Sequence, residues 1–132
     1  MKKIGVLHAQ LSRIIATMAH GEMLIIGDAG LPVPPGVEFV DLALKNGVPS
    51  FLETLETVLE ELHVEKAIID TEQAEVSPQM HQAFSAMWPK DIPLHAVPHA
   101  EFQEIIKGAK AVVRTGEFTP YSNIILVAGV LF

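Results

Sequence analysis

Met23-Leu24-Ile25-Ile26-Gly27-Asp28-Ala29-Gly30 is the stretch on which the reading of this chain turns. Its first five residues are an apolar run without polar alternation, and the run stops at an Asp-Ala-Gly turn signal. A strand wet on one face alternates apolar with polar residues, whereas a continuous run suits a strand covered on both faces. Ala67-Ile68-Ile69, Leu94 to Val97, Ala111 to Arg114 and Ile124 to Phe132 read as strands too. Between them the period changes. Leu11, Ile14, Ile15 and Met18 recur at helical spacing in residues 9–19, a helix ending near His20-Gly21. Ser50-Phe51-Leu52-Glu53 is a capping-box pattern heading a helix that buries Phe51, Leu55, Val58, Leu59 and Leu62. Ser77-Pro78 opens another helix, with Met80, Phe84, Met87 and Trp88 inward, and residues 100–107 form a last one on Phe102, Ile105 and Ile106. Leu31 to Gly36 is a proline-stiffened loop, Val37 to Leu44 is extended, and Asn46-Gly47 marks a turn. Strands alternating with helices, several of them wholly apolar, predict an α/β fold: a three-layer αβα arrangement around a mostly parallel central sheet, one domain over residues 1–132.

Composition narrows the class. The 132 residues are 49% hydrophobic and 19% charged, with a formal net charge of −7 and no cysteine. A disulfide scaffold, a zinc ribbon and thiol catalysis are excluded, and disorder does not fit so apolar a chain. An acidic chain without a Lys/Arg cluster is a poor binder of nucleic acid. Mean hydropathy is +0.34, yet the longest apolar run, Ile124 to Phe132, falls well short of the roughly 20 residues that span a bilayer. Met1-Lys2-Lys3 is followed by His8, Gln10 and Arg13 before any long apolar stretch, which does not read as a secretory leader. The apolar surplus is therefore expected in the core and in contacts between copies of the chain.

In parallel sheets, ligands settle beyond the carboxyl ends of the strands. That directs attention to Asp28 to Gly36, Asp70 to Ser77, Pro98-His99 and Arg114 to Asn123. No glycine-rich phosphate loop is present, no HExxH pair, and no nucleophile elbow around Ser12 or Ser122. His20 stands at a helix end, where a partial negative charge favours the protonated ring, eight residues before Asp28. The pair reads either as an acid–base couple or as two caps, and spacing alone favours the caps. Thr119-Pro120-Tyr121-Ser122-Asn123 holds the only tyrosine and an asparagine amide in a rigid loop suited to sugar hydroxyls, or is simply a turn. His99 is a cap substitute or a ligand contact; His63, His81 and His95 read as solvated surface.

Taken together, these segments resemble the ribose pyranase family, which groups with the fucose mutarotases. The resemblance runs along essentially the whole chain and rests on His20, Asp28-Ala29-Gly30-Leu31-Pro32-Val33-Pro34, Asp41-Leu42-Ala43-Leu44, Gly47-Val48-Pro49-Ser50-Phe51, and Val113 through Asn123. It implies an isomerase that interconverts pyranose and furanose D-ribose ahead of phosphorylation. It also implies no metal or organic cofactor, and a cytoplasmic homo-oligomeric ring, an octamer or decamer, whose active sites are completed between subunits; no nucleic-acid or membrane partner is expected, on the charge and apolar-run lengths above. In family terms His20 is the catalytic acid, while Asp28, His99, Tyr121, Ser122 and Asn123 bind the sugar. We assign His20 as proton shuttle and Asp28 as its orienting or hydroxyl-holding partner. An L-fucose or other sugar mutarotase, and a non-catalytic sugar-binding module of a transport system, are the alternatives. The sequence departs from the family pattern at Leu7-His8-Ala9, where Leu-Asn-Ser is usual, at Ala19 in place of Gly, and at Glu72-Gln73-Ala74 in place of Glu-Ile-Lys.

Overall fold

The apolar run from Met23 to Gly27 lies at the centre of one six-stranded sheet. In the computed structural model, which describes all residues from Met1 to Phe132, it forms strand β1 (Met23–Gly27), preceded by helix α1 (Ala9–Thr17). Then come β2 (Glu38–Asp41), α2 (Phe51–Leu59), β3 (Val64–Asp70), the short α3 (Glu72–Val76), α4 (Pro78–Met87) and β4 (Leu94–Val97). Helix α5 (His99–Ile105) runs into a 3-10 turn (Ile106–Gly108), and β5 (Ala111–Arg114) and β6 (Ile124–Ala128) complete the sheet. The strand order is β2-β5-β1-β6-β3-β4.

The sheet is mostly parallel, as expected: β1 with β5, β2 with β5, and β3 with β4. The exception is β6, which runs antiparallel between β1 and β3. Its connection explains the reversal. A parallel return needs a crossover, usually helical, and the segment from Thr115 to Asn123 contains no helix. The chain therefore re-enters the sheet at the end where β5 left it.

Successive residues of each inner strand serve opposite faces. Leu24, Ile26, Ala111, Val113, Ile124 and Leu126 share a buried cluster with Leu11 and Ile14 of α1, Phe51, Leu55 and Val58 of α2, and Phe84 and Trp88 at the end of α4. Ile25, Val112, Ile125 and Val127 face the other way and share a smaller buried cluster with Phe102 and Ile106 from the α5 segment and Leu31 from the loop after β1, edged by partly buried Ile105, Val33 and Val37. The helical layers are thus unequal: α1, α2 and α4 pack on one face and the α5 segment on the other, with the short α3 contributing to neither cluster.

Local signals are realised where side chains cap helices. Ser50 Oγ accepts from the Glu53 amide at 3.1 Å, His8 Nδ1 accepts from the Leu11 amide at 3.3 Å, and Pro78 occupies the first turn of α4. Boundaries differ in places. The first helix stops at Thr17, because the Met18 amide turns back to the Ile15 carbonyl. The extended segment from Val37 shrinks to Glu38–Asp41, where Asp41 Oδ1 bends the chain by accepting from the Ala43 amide. The last strand ends at Ala128, since Gly129 bonds to the His63 carbonyl instead. Strand β3 starts ahead of Ala67, at Val64, and α3 was not anticipated.

Candidate active site

The carboxyl ends of β1, β3, β4 and β5 and the start of β6 converge on one crevice. A cavity of about 510 Å³ opens there, lined by Asp28 to Pro32, His99, and Glu117, Phe118, Pro120, Tyr121 and Asn123, a size suited to a small polar ligand.

Each wall has a local cause. Asp28 closes its own turn, Oδ1 accepting from the Gly30 amide at 2.9 Å, while the Ala29 amide donates to the Glu117 carbonyl at 2.8 Å. Gly27 permits this bend, because a Cβ there would collide with the Leu31 side chain. Tyr121 holds φ at 60°, in the left-handed region that a tyrosine rarely adopts. The surrounding loop is clamped to keep it so: Ser77 Oγ donates to the Pro120 carbonyl (2.7 Å), Gln73 Nε2 to the Tyr121 carbonyl (3.3 Å), and Ser122 Oγ to the Thr119 carbonyl (2.8 Å). Glu117 ties the same loop to the start of α2, accepting from the Phe51 amide at 3.1 Å and the Thr119 hydroxyl at 2.8 Å.

The polar edge is one connected network. Asn123 Oδ1 accepts from the Asp28 amide at 3.0 Å, and Asn123 Nδ2 donates to Asp70 Oδ2 at 2.8 Å. Asp70 Oδ1 lies 2.7 Å from His99 Nδ1. The His99 ring stacks on Phe102 at 6.2 Å and meets Tyr121 edge-on at 5.1 Å, and its backbone amide is held by the Glu72 carboxylate at 2.9 Å. Burial pushes the Asp28 carboxyl above its ordinary range, against the downward pull of nearby amides and of His99. Burial raises the Asp70 carboxyl likewise, opposed by its bonds to Asn123 and His99. The Glu72 carboxyl is held low, chiefly by the Thr71 hydroxyl.

Asp28, His99, Tyr121 and Asn123 therefore meet in one cavity. Ser122 does not join them: its side chain is buried and its hydroxyl is spent on the turn. His20 is elsewhere. It sits on the turn before β1, with a side chain 59% exposed and Nε2 2.9 Å from Glu65 Oε2. Beside it the Gly21 amide bonds to Ala128 at the far end of β6, so the length of β1 separates it from Asp28. The expected pairing of His20 with Asp28 is not made within one chain; Asp28 is oriented by its own turn instead. His81 also departs from expectation. It is half-buried, its Nδ1 2.9 Å from Gln73 Oε1, in the layer behind Tyr121, while His63 and His95 are exposed. The residue that sequence reading missed is Asp70. Its position at the end of an apolar run, opening a loop already flagged for ligands, was the available signal.

Fold and site define the class. The chain matches the model of the RbsD / FucU transport protein family over residues 1–131 and belongs to that family. Among its relatives, the D-ribose pyranases of Laribacter hongkongensis and Chloroflexus aggregans are 50% and 47% identical to it, over 100% of both chains in each case. The solved structure of Bacillus subtilis RbsD complexed with D-ribose superposes with a TM-score of 0.94 at 44% identity, covering 100% of both chains. The fucose mutarotase of Streptococcus pneumoniae, solved with L-fucose, shares the fold at a TM-score of 0.78 and 21% identity, over 100% of both chains.

Proposed function

We propose that this chain is a D-ribose pyranase, an intramolecular isomerase that interconverts the pyranose and furanose forms of the sugar. The observation that carries the reading is the polar edge of Asp28, His99, Tyr121 and Asn123 at the strand ends, in a chain half identical over its full length to D-ribose pyranases. A pyranose is a hemiacetal. Opening it removes a proton from the anomeric hydroxyl and delivers one to the ring oxygen; closure through another hydroxyl gives the furanose. The reaction runs slowly in water, so placed acid–base groups contributing about 10²–10⁴-fold suffice, without metal or organic cofactor. Asp28, His99, Tyr121 and Asn123 hold the hydroxyls.

His20 serves as the acid for the ring oxygen. Because it lies at the far end of β1 in its own chain, it acts in the cavity of a neighbouring copy, within a cytoplasmic homo-oligomeric ring of eight or ten subunits. Exposed Phe118 on the cavity rim offers apolar surface for such a contact. The lining also indicates where the reaction falls. No lysine or arginine lines the cavity, while Asp28 and Glu117 do, so a phosphorylated sugar is repelled. A ribose phosphorylated on its 5-hydroxyl has no pyranose form, and the reaction precedes that phosphorylation.

Saturation-transfer NMR between the ring forms of D-ribose tests the reading. Exchange accelerated by the protein is expected, faster for ribose than for L-fucose, and lost in His20→Ala while that variant stays folded. Saturable ribose binding without accelerated exchange would establish a binding module instead, and preferential acceleration of fucose a fucose mutarotase. Sedimentation as a monomer would refute the shared cavity.

A further inference from the structure

Asp70 ends β3 with its side chain fully buried, at 0% exposure, behind the cavity wall. The roles given to Asp28, His99, Tyr121 and Asn123 as hydroxyl holders leave it unused. Its surroundings fix the direction of its bond to Asn123. The Asp28 backbone N–H, which can only donate, fixes Asn123 Oδ1 as an acceptor. The Asn123 amide nitrogen must then face Asp70, so Asp70 Oδ2 accepts. The remaining oxygen lies 2.7 Å from His99 Nδ1; an ionised carboxylate can only accept, which places the ring proton on Nδ1. That leaves Nε2 of a cavity-lining histidine carrying a lone pair, with no hydrogen-bond partner inside the chain. Stacking on Phe102 and the edge of Tyr121 hold the ring plane, and Glu72 holds its backbone.

We propose that Asp70 is a positioning residue that makes His99 the pocket's own proton acceptor, a buried carboxylate–imidazole pair working beside the acid supplied at the ring oxygen. This inference rests on the ring-opening reading above. His99 Nε2 takes the proton of the anomeric hydroxyl as the C1–O5 bond breaks. The bond's electron pair goes to O5, which the acid protonates. In closure the 4-hydroxyl oxygen attacks C1 and gives its proton to the conjugate base of that acid, while His99 returns its proton to the carbonyl oxygen. Both groups end as they began. The imidazolium formed midway faces Asp70 from β3, Asp28 from the loop after β1 and Glu72 from α3, with Glu117 from the loop before β6 lining the same cavity and the Tyr121 ring edge-on to it. The Asp28, Asp70 and Glu72 carboxylates stabilise the positive ring, and that of Asp70 does so at hydrogen-bond distance.

Asp70→Asn tests the assignment with nearly unchanged shape. Asn123 is pinned by Asp28, so the new amide must keep its oxygen toward Asn123 and turn its NH2 to His99 Nδ1. Nδ1 must then accept, and the ring proton moves to Nε2. Long-range ¹⁵N–¹H NMR of sugar-free protein is expected to show His99 protonated on Nδ1 in the wild type and on Nε2 in the variant. Ribose exchange in the variant falls by roughly 10- to 100-fold, a fraction of what a whole acid–base group supplies, with ribose affinity retained. The acid limb of its pH profile moves to lower pH, because the imidazolium has lost its anion. A wild-type His99 protonated on Nε2 would overturn the inference, and that measurement needs no variant to fold. So would a folded variant exchanging ribose within about twofold of wild type with an unmoved limb. If the wild type itself fails to accelerate exchange, the ring-opening reading falls, and the catalytic part of this inference with it. A normal wild-type rate beside an unaltered variant removes the inference alone.

Discussion

Phe102→Ala separates the two things α5 does. The Phe102 side chain is fully buried and, with Ile106, is what the α5 segment lays over Ile25, Val112 and Ile125. Removing a buried phenylalanine ring to its Cβ costs about 3–5 kcal/mol. At about 2.1 cal/mol/K of unfolding entropy per residue, 132 residues amount to about 0.28 kcal/mol/K, so the midpoint falls by about 11–18 °C. Phe84→Ala is the matched control. Phe84 is equally buried, packs against Phe51, His81 and Trp88 on the opposite face, and does not line the cavity. It should lose comparable stability. Only Phe102, however, stacks on the His99 ring. An aromatic pair of that kind is worth about 0.5–1.5 kcal/mol, so Phe102→Ala weakens ribose binding about 2- to 12-fold. Thermal unfolding followed by circular dichroism at one protein concentration, with ribose titration by calorimetry below the transition, reads both effects. A midpoint loss under about 4 °C for Phe102→Ala, roughly 1 kcal/mol, would show that α5 does not secure its face. Equal loss of ribose affinity in Phe84→Ala would show that the stacking is incidental.

Ser50→Ala removes the side-chain acceptor for the Glu53 amide and should cost about 1 kcal/mol in urea unfolding; no loss would mean that α2 is held by packing alone. Gly116→Ala places a Cβ against the carbonyls of Lys45 and Val48 and 2.7 Å from the Val48 amide, all backbone, on a residue also clamped by hydrogen bonds to Gly47 and Pro49. We expect at least the 1–3 kcal/mol of an overpacked site together with loss of ribose binding, and a fully stable, ribose-binding variant would refute the close approach. Stability should also depend on pH through Asp28 and Asp70. Burial raises both above the ordinary value of 3.8, so their contribution is present below that pH and is lost as pH rises through the folded-state values. Denaturant unfolding of wild type and Asp70→Asn across acid to neutral pH should therefore show the difference moving in the variant's favour as pH rises; movement the other way would mean that the fold favours the charged Asp70.

Much of this architecture could be read from residues alone. Unbroken apolar runs such as Leu24-Ile25-Ile26 mark strands covered on both faces, and Ser50 and Pro78 mark helix starts, because those signals are local. The direction of β6 was not legible: Ile124 to Ala128 is buried on both faces, and its composition is the same whichever way it runs. Helix α3 was hidden because Glu72-Gln73-Ala74-Glu75-Val76 is too short and polar to show a period. At the site, His99 and Tyr121 stood out by lying in loops after strands. Asp70 looked like one more turn-forming aspartate, since a carboxylate's burial is decided by partners remote in sequence, Asn123 and His99. His20 and Asp28 look adjacent along the chain, but the strand between them is extended and carries them to opposite ends of the sheet.

Strand β6 pairs with β1 on one side and β3 on the other, and it alone joins β2-β5-β1 to β3-β4. It is also made after the other five strands. Without β6, the groups β2-β5-β1 and β3-β4 have no strand pairing between them, and β1 and β3 each keep an open hydrogen-bonding edge. Asn123, which bridges the Asp28 side of the cavity to Asp70, arrives immediately before this strand. The seam of the fold and the seam of the site thus close in the same event, so a nascent chain has no pocket to occupy and its sugar cannot guide its folding. Any truncation that removes β6 therefore leaves two bare strand edges, the usual template for pairing with another chain.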